Sequence, residues 1–210
     1  MEYGNPVNWY RDRLFPRLLD WAMTGESFAT YRRQVLAGVS GNVLEVGFGT
    51  GLNLAYYPET VTSLTVIDPN PGMGAIAQPR IAASPLPIES QSLRGEHLPM
   101  ADNTFDWVVS TWTLCSIAEP EQALREIRRV LKPGGRFVFI EHGLSPERSL
   151  QTWQNRLTPV QKRIADGCHL NRPIDILVSA VMPLESLECF YADGFPKVAG
   201  YFYRGVAVKP

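Results

Sequence analysis

The sequence predicts an α/β protein: a Rossmann-like, mainly parallel sheet of seven strands that finishes in an antiparallel C-terminal hairpin. Three observations carry that prediction. From Asn42 onward, short apolar runs alternate with helical patterns, the order that lays helices on both faces of a parallel sheet. The first run, residues 42–46, leads into three alternating glycines, Gly47, Gly49 and Gly51. The last two runs, 187–191 and 201–208, are joined through Ala192-Asp193-Gly194-Phe195-Pro196, too short a link for a helical crossover, so they must pair antiparallel.

Each element has a local reason. Residues 9–23 place Trp9, Leu14, Phe15, Leu18, Leu19 and Ala22 on one helical face, and 27–39 read as a second helix, so two helices precede the first strand. Strands are expected at 42–46, 64–67, 88–93, 107–111 and 136–141, with a helix from near Leu52 after the glycine turn. The stretch 69–87 is rich in Pro, Gly and Ala, which predicts a short helix broken near Pro79. The clearest helix is 119–131: Pro120 suits its first turn, and Ala123, Leu124, Ile127, Val130 and Leu131 form one stripe. Lys132-Pro133-Gly134-Gly135 ends it. The segment 149–172 is expected to fold as a helix and loop over the carboxyl edge of the sheet. One domain spanning 1–210 follows, divided into a helical cap (1–40), a core (41–147), a lid (148–183) and a hairpin (184–210).

Composition narrows the function. A chain of 210 residues with 45% hydrophobic content supports a substantial core. Its net charge of −1 gives no basic field for a nucleic-acid backbone, which leaves a small molecule as the expected partner. The three cysteines, Cys115, Cys168 and Cys189, are odd in number and show no Cys-x-x-Cys spacing. With no secretory pattern and no apolar run near the roughly 18 residues of a membrane span, a cytoplasmic location is expected. Nothing in the sequence signals an oligomeric state.

The glycine turn carries the chemistry. Side chains there would keep a ligand away from the backbone, and the helix behind the turn would offer amides to a negatively charged ligand end. Asp68 closes the second apolar run, where a neighbouring parallel strand sets its carboxylate beside the turn, within reach of the two hydroxyls of a ribose. Dinucleotide enzymes favour Gly-x-Gly-x-x-Gly, and here the third position of that pattern is Leu52. Glu45, inside the strand, fits a different ligand: an acid there orients the loop and faces the ammonium of an amino acid.

Together, the run Leu44-Glu45-Val46-Gly47-Phe48-Gly49-Thr50-Gly51, the segment Ile67-Asp68-Pro69-Asn70-Pro71, Gly95-Glu96-His97-Leu98-Pro99 and Leu131-Lys132-Pro133-Gly134-Gly135 resemble the successive motifs of the class I, type 11 S-adenosylmethionine methyltransferases. The segments 111–117, Glu141-His142-Gly143 and Gly167-Cys168-His169-Leu170-Asn171-Arg172-Pro173 resemble more narrowly a bacterial branch similar to the animal alkyl-thiol S-methyltransferases. His97 departs from the animal enzymes, where an aspartate stands.

The resemblance implies S-adenosylmethionine as cofactor and S-adenosylhomocysteine as product. Glu45, Gly47, Gly49 and Gly51 are then expected at the methionine end and Asp68 at the ribose. Glu96 and His97 fall near the adenine, covered by Asn70 and Met73, while Phe48, Asn53, Pro69 and Thr111 complete the cofactor set. A solvated loop is the other reading of Glu96 and His97.

For the acceptor, the ends of the fourth and fifth strands open onto the cleft. Trp112, Cys115 and Ser116 follow the fourth strand, and Glu141 and His142 the fifth. The lid brings Cys168, His169, Asn171 and Arg172, and Tyr10 joins from the first helix. His142 is the leading candidate base, with His169 and Glu141 beside it, because imidazole titrates in the useful range. A histidine that only hydrogen-bonds a loop is the alternative. Arg172 either pairs with an acidic acceptor or holds the lid to Glu141 or Asp175. The spacing of Cys115, Cys168, His142 and His169 is scattered, so no metal site is assigned.

The activity expected is methyl transfer to a small, apolar acceptor, first a thiol or other soft nucleophile. A phospholipid or amine N-methyltransferase and a quinol-type O-methyltransferase stand as alternatives, and a cofactor-binding sensor or partner subunit as the reading outside enzymes. Trp9, Phe15 and Trp21, interleaved with Arg11, Arg13 and Arg17, either close over the cleft or touch a membrane surface.

Overall fold

A computed structural model describes residues 9–210, so the first eight residues of the expected cap lie outside the described part. The seven strands are β1 (Gly41–Val46), β2 (Val61–Ile67), β3 (Ile88–Gln91), β4 (Phe105–Thr111), β5 (Leu131–His142), β6 (Leu184–Tyr191) and β7 (Tyr201–Val208). They form one sheet in the order β3-β2-β1-β4-β5-β7-β6. β1 to β5 run parallel, while β7 pairs antiparallel with both β5 and β6. The fold class is the predicted one.

Strand alternation divides the core into two. In β5, Phe137 and Phe139 pack on one face with Leu124, Ile127 and Val130 of α4 (Pro120–Val130) and Ile174 and Val178 of α6 (Ile174–Ser179). Val138 and Ile140 point the other way, to Val35 and Leu36 of α2 (Glu26–Leu36) and Ala77 of α3 (Pro71–Ala83). Each fully buried aliphatic side chain contributes about 1.5–3 kcal/mol of burial free energy.

Local structure departs from the sequence reading in three places. The predicted helix after the glycine turn is only a five-residue 3₁₀ turn, Leu52–Tyr56. Pro58 forces Tyr57 into extended backbone and stops it. α3 runs unbroken through Pro79 for 13 residues, because Asn70 caps it by accepting the Gly72 amide at 2.9 Å and Met73 and Ala77 anchor its buried side. The first helix opens with a π-helical turn, Tyr10–Leu14, that continues into α1 (Phe15–Met23). Its apolar residues divide: Phe15, Leu19, Ala22 and Met23 face inward, while Trp9, Leu18 and Trp21 are exposed.

The order reverses between β1 and β4, so the chain leaves their carboxyl ends in opposite directions. An open α/β sheet has its crevice there. Over it lie α1, α2 and α5 (Arg148–Ile164) with the loop 165–172 that follows.

Candidate active site

A cavity of about 580 Å³ occupies this switch point, floored by the last residues of four parallel strands: Val46, Ile67, Thr111 and His142. The glycine turn forms one wall. Gly47, Gly49 and Gly51 all adopt left-handed backbone, with φ of 76°, 58° and 80°. A Cβ on Gly47 would sit 2.1 Å from the Thr113 side chain, whereas a Cβ on Gly49 would meet nothing within 4 Å. The open space at Gly49 is where a ligand can approach the backbone, so the turn fits the cofactor its sequence implies.

Asp68 ties that turn to β2. One carboxylate oxygen accepts the Gly49 amide at 2.8 Å and the other accepts Asn70 at 2.8 Å. Burial raises its pKa and these two amides oppose the rise. Each oxygen keeps a second lone pair for a hydroxyl donor. Phe48, Pro69, Asn70, Met73 and Glu96 line the same end of the cavity. Glu96 is buried, but His97 is exposed and turned away.

Glu45 lies beneath the cavity rather than in its lining. Its oxygens accept from Asn53 at 2.8 Å and from Tyr57 at 2.6 Å, and burial pushes its carboxyl up to about 7 against those two bonds. Asn53 does reach the cavity, and its amide oxygen accepts from Arg32 at 3.1 Å. Arg32 is 4% exposed, and burial pulls its pKa down to about 10. Its guanidinium carbon stands 5.1 Å from the Trp112 ring centre. This buried cation at the mouth of the glycine turn suits a carboxylate and was not anticipated. The available signal was its place in the stripe of Ala29, Arg32 and Leu36, where a helix buries apolar residues.

The wall beside Arg32 is aromatic. Trp112 has a left-handed φ of 52° and packs edge-on against Phe28 at 5.0 Å, and Phe195 contacts Phe28 at 5.0 Å and Phe202 at 5.4 Å. All four rings line the cavity, and the buried Trp112 indole N–H has no protein partner. Next to them, Cys115, Ser116, His142 and Cys168 converge. His142 Nε2 lies 3.0 Å from the Cys168 sulfur, and the two sulfurs are 3.8 Å apart. Residues scattered over 53 positions are thus one cluster, because β4 and β5 are neighbours and the lid loop crosses their ends. The Cys115 sulfur and burial push the Cys168 thiol above its usual range. Burial lowers the His142 pKa, but the Cys168 sulfur and then Glu141 outweigh it and hold the imidazole above its ordinary value.

Five residues predicted for catalysis or the acceptor do not line the cavity. Glu141 is fully buried, accepting the amides of Thr113 at 2.9 Å and Leu114 at 3.0 Å and the Ser110 hydroxyl at 2.9 Å. Burial raises its pKa and these bonds oppose the rise. It holds the loop and does not meet the cavity, which corrects its assignment as a catalytic group. His169 is likewise turned away, with Nδ1 near the Cys115 carbonyl at 3.2 Å and Arg172 at 3.1 Å; burial and then Arg172 lower its pKa. Arg172 does hold the lid, through the Leu114 carbonyl and His169 rather than through Glu141 or Asp175. Asn171 is spent on Asn155 at 2.8 Å, and the Tyr10 hydroxyl donates to the Ile164 carbonyl at 2.6 Å, joining the cap to α5. Arg11 and Asp166 reinforce that joint with an ion pair at 3.0 Å.

Comparison with known proteins agrees with this geometry. A family model described as a methyltransferase domain matches residues 44–139. Human thiol S-methyltransferase TMT1A is 37% identical over 180 residues, covering 79% of this chain and 73% of its own length. Rat thiol S-methyltransferase TMT1B is 41% identical over 149 residues, 65% of this chain, which spans 58% of that relative. The phosphatidylethanolamine N-methyltransferase of Cereibacter sphaeroides is 36% identical over 131 residues, covering 58% of this chain and 64% of its own length. Among solved structures, a SAM-dependent methyltransferase from Thermotoga maritima superposes with a TM-score of 0.66 at 18% identity, covering 96% of this chain and all of that one. Haemonchus contortus phosphoethanolamine N-methyltransferase 2, in complex with phosphomonomethylethanolamine and S-adenosylhomocysteine, gives 0.69 at 15% identity, covering 98% of this chain and 62% of its own.

A parallel sheet closed by an antiparallel hairpin, with a glycine turn and an acid at its switch point, is the class I methyltransferase fold. The chain belongs to the type 11 methyltransferase family, and its relatives include thiol S-methyltransferases.

Proposed function

We propose that this protein binds S-adenosylmethionine at the glycine turn and transfers its methyl group to the sulfur of a small apolar thiol. The observation that carries this reading is the cavity itself, with a polar end built on Gly49 and Asp68 and an aromatic wall, lying against Arg32, that meets two thiols and an imidazole. The similarity to proteins named thiol S-methyltransferases supports the same choice of acceptor.

In this reading the open backbone at Gly49 and the Asp68 carboxylate hold the nucleoside, with Glu96 and Met73 beside the base. Arg32 faces the amino-acid carboxylate. The bound cofactor supplies an electrophilic methyl on a good leaving group, so the protein's task is alignment and exclusion of water. Phe28, Trp112, Phe195 and Phe202 do both for an apolar acceptor. His142, in the cavity wall, takes the thiol proton as the sulfur attacks. The sensor reading is disfavoured by a cavity that side chains do not plug.

The test is to supply purified protein with S-adenosylmethionine and small alkyl thiols, amines and phenols, and to follow S-adenosylhomocysteine release. Turnover of thiols above the other two classes is expected. Turnover confined to amines or phenols would replace this acceptor, and retention of the cofactor without turnover of any class would favour the sensor.

A second surface bears on how an apolar acceptor arrives. α5 exposes Trp153, Leu157, Val160 and Ile164 in one stripe and carries Arg148, Arg156, Lys162 and Arg163 with no acidic residue. Trp21 and Leu18 of α1 are exposed as well. No described helix is long and apolar enough to cross a membrane. An apolar stripe flanked by cations suits the surface of an anionic bilayer, from which a membrane-dissolved substrate reaches the cavity.

A further inference from the structure

The geometry points to Cys115, Cys168 and His142 as a three-ligand site for a zinc-class divalent cation, with its fourth position open to the cavity. Their ligand atoms, two sulfurs and one imidazole nitrogen, all lie within 4.8 Å of one another. Two sulfurs bound to one tetrahedral zinc at about 2.3 Å each stand ~3.8 Å apart, and a sulfur and an imidazole nitrogen ~3.5 Å apart. The chain sets its sulfurs 3.8 Å apart and the nitrogen 3.0 Å from Cys168, so small side-chain rotations admit the ion.

The three ligands come from separate elements that are already fixed. Cys115 sits on the loop held by Glu141, and His142 ends β5. Cys168 belongs to a lid loop tied down by the His169 amide on the Cys115 carbonyl at 2.8 Å. Both cysteines are buried and all three residues line the cavity, whereas Cys189 is exposed. Two soft sulfurs and an imidazole favour zinc over the oxygen-seeking cations. Three protein ligands with one vacant position are the pattern of a catalytic zinc rather than a structural one.

This inference rests on the thiol-methylation reading and deepens it. With its imidazole on the ion, His142 no longer serves as the base of the metal-free reaction, and an acceptor thiol entering the fourth position would give its proton to water or buffer. Its sulfur pair then forms the new S–CH3 bond, and the C–S bond of the sulfonium breaks with its electrons remaining on the departing sulfur. Cationic activation of this kind serves a thiol and does little for an amine.

The experiment is a titration of reduced, chelator-stripped, full-length protein with Cd2+, read by thiolate-to-metal absorption in the near ultraviolet and followed by competition with Zn2+. One equivalent per chain is expected in the wild type and in Cys189→Ser. Cys115→Ser, Cys168→Ser and His142→Ala should each weaken uptake by roughly 100-fold or more. No stoichiometric uptake by the reduced wild type overturns the site, as does uptake that the three substitutions leave unchanged or a pair recovered only as a disulfide. S-adenosylmethionine binding, measured by calorimetry on the same samples, separates the two claims. Intact cofactor binding without metal uptake removes only the metal site, while loss of cofactor binding in the wild type removes the function on which it rests.

Discussion

Glu141 accepts the Leu114 amide at 3.0 Å from a fully buried position at the end of β5. The same oxygen takes Thr113 and the Ser110 hydroxyl, so one atom organises the turn that presents Trp112, Cys115 and Ser116. Glu141→Ala leaves these donors unsatisfied and should cost about 2–4 kcal/mol of unfolding free energy. Glu141→Gln keeps an oxygen at that point and should recover most of the loss together with the methylation rate. Urea denaturation beside a turnover assay checks both, and a well-folded but inactive Gln variant would return the carboxylate to the chemistry.

Two glycines separated by one residue should fail differently. Gly47→Ala drives a Cβ into Thr113, including its Cβ at 2.6 Å, and so strikes the folded loop itself. Gly49→Ala meets no protein atom and costs only the left-handed strain, roughly 1–2 kcal/mol. The methyl instead fills ligand space. Thermal melting should show Gly47→Ala as the less stable, and calorimetry should show a folded Gly49→Ala with S-adenosylmethionine affinity reduced at least ~10-fold. Unchanged affinity would place the cofactor elsewhere.

What the sequence made legible was local or periodic. Alternating apolar runs, the glycine turn and the short link before β7 each act over a few residues, and together they point to a mainly parallel seven-stranded sheet with an antiparallel end. Pro79 misled because a proline's cost is local while the Asn70 cap and the burial of Met73 and Ala77 act over the whole helix. Arg32 was invisible because a charged helical residue is solvated by default, and only its partners, Asn53 and the Met23 carbonyl at 2.9 Å, make burial tolerable. Cys115, His142 and Cys168 have no meaningful spacing. Their meeting depends on β4 and β5 being neighbours and on the path of the lid loop.

Glu45 should leave a mark on stability against pH. Its folded pKa, near 7 because of burial, lies above its ordinary 4.5, so the folded chain holds a proton that the unfolded chain has released. Stability from this group is complete below about pH 4.5, falls as pH rises and is lost once pH passes 7, a change on the order of 3 kcal/mol. Glu45→Gln removes that titration. The melting temperature of the variant relative to wild type should therefore rise from pH 5 to pH 8 and then level. A difference independent of pH would mean that the Arg32–Asn53 pair keeps Glu45 ionised throughout.

The stripe on α5 gives the last prediction. Trp153, Leu157, Val160 and Ile164 follow one another at intervals of four, three and four residues, which keeps them on one face, and Arg156 lies over the Trp153 ring at 5.7 Å. Water alone does not reward exposing these four side chains on one short helix. Sedimentation with vesicles containing phosphatidylserine should recover the protein, and pure phosphatidylcholine vesicles should recover less, since the lipid charge attracts the basic residues. Raising the salt should weaken the first and barely change the second. Leu157→Glu with Val160→Glu removes apolar area and adds repulsion, for an expected loss of at least ~10-fold in partitioning with turnover of a water-soluble thiol unchanged. Equal sedimentation of both proteins would free α5 of this role and leave the acceptor to enter from solution.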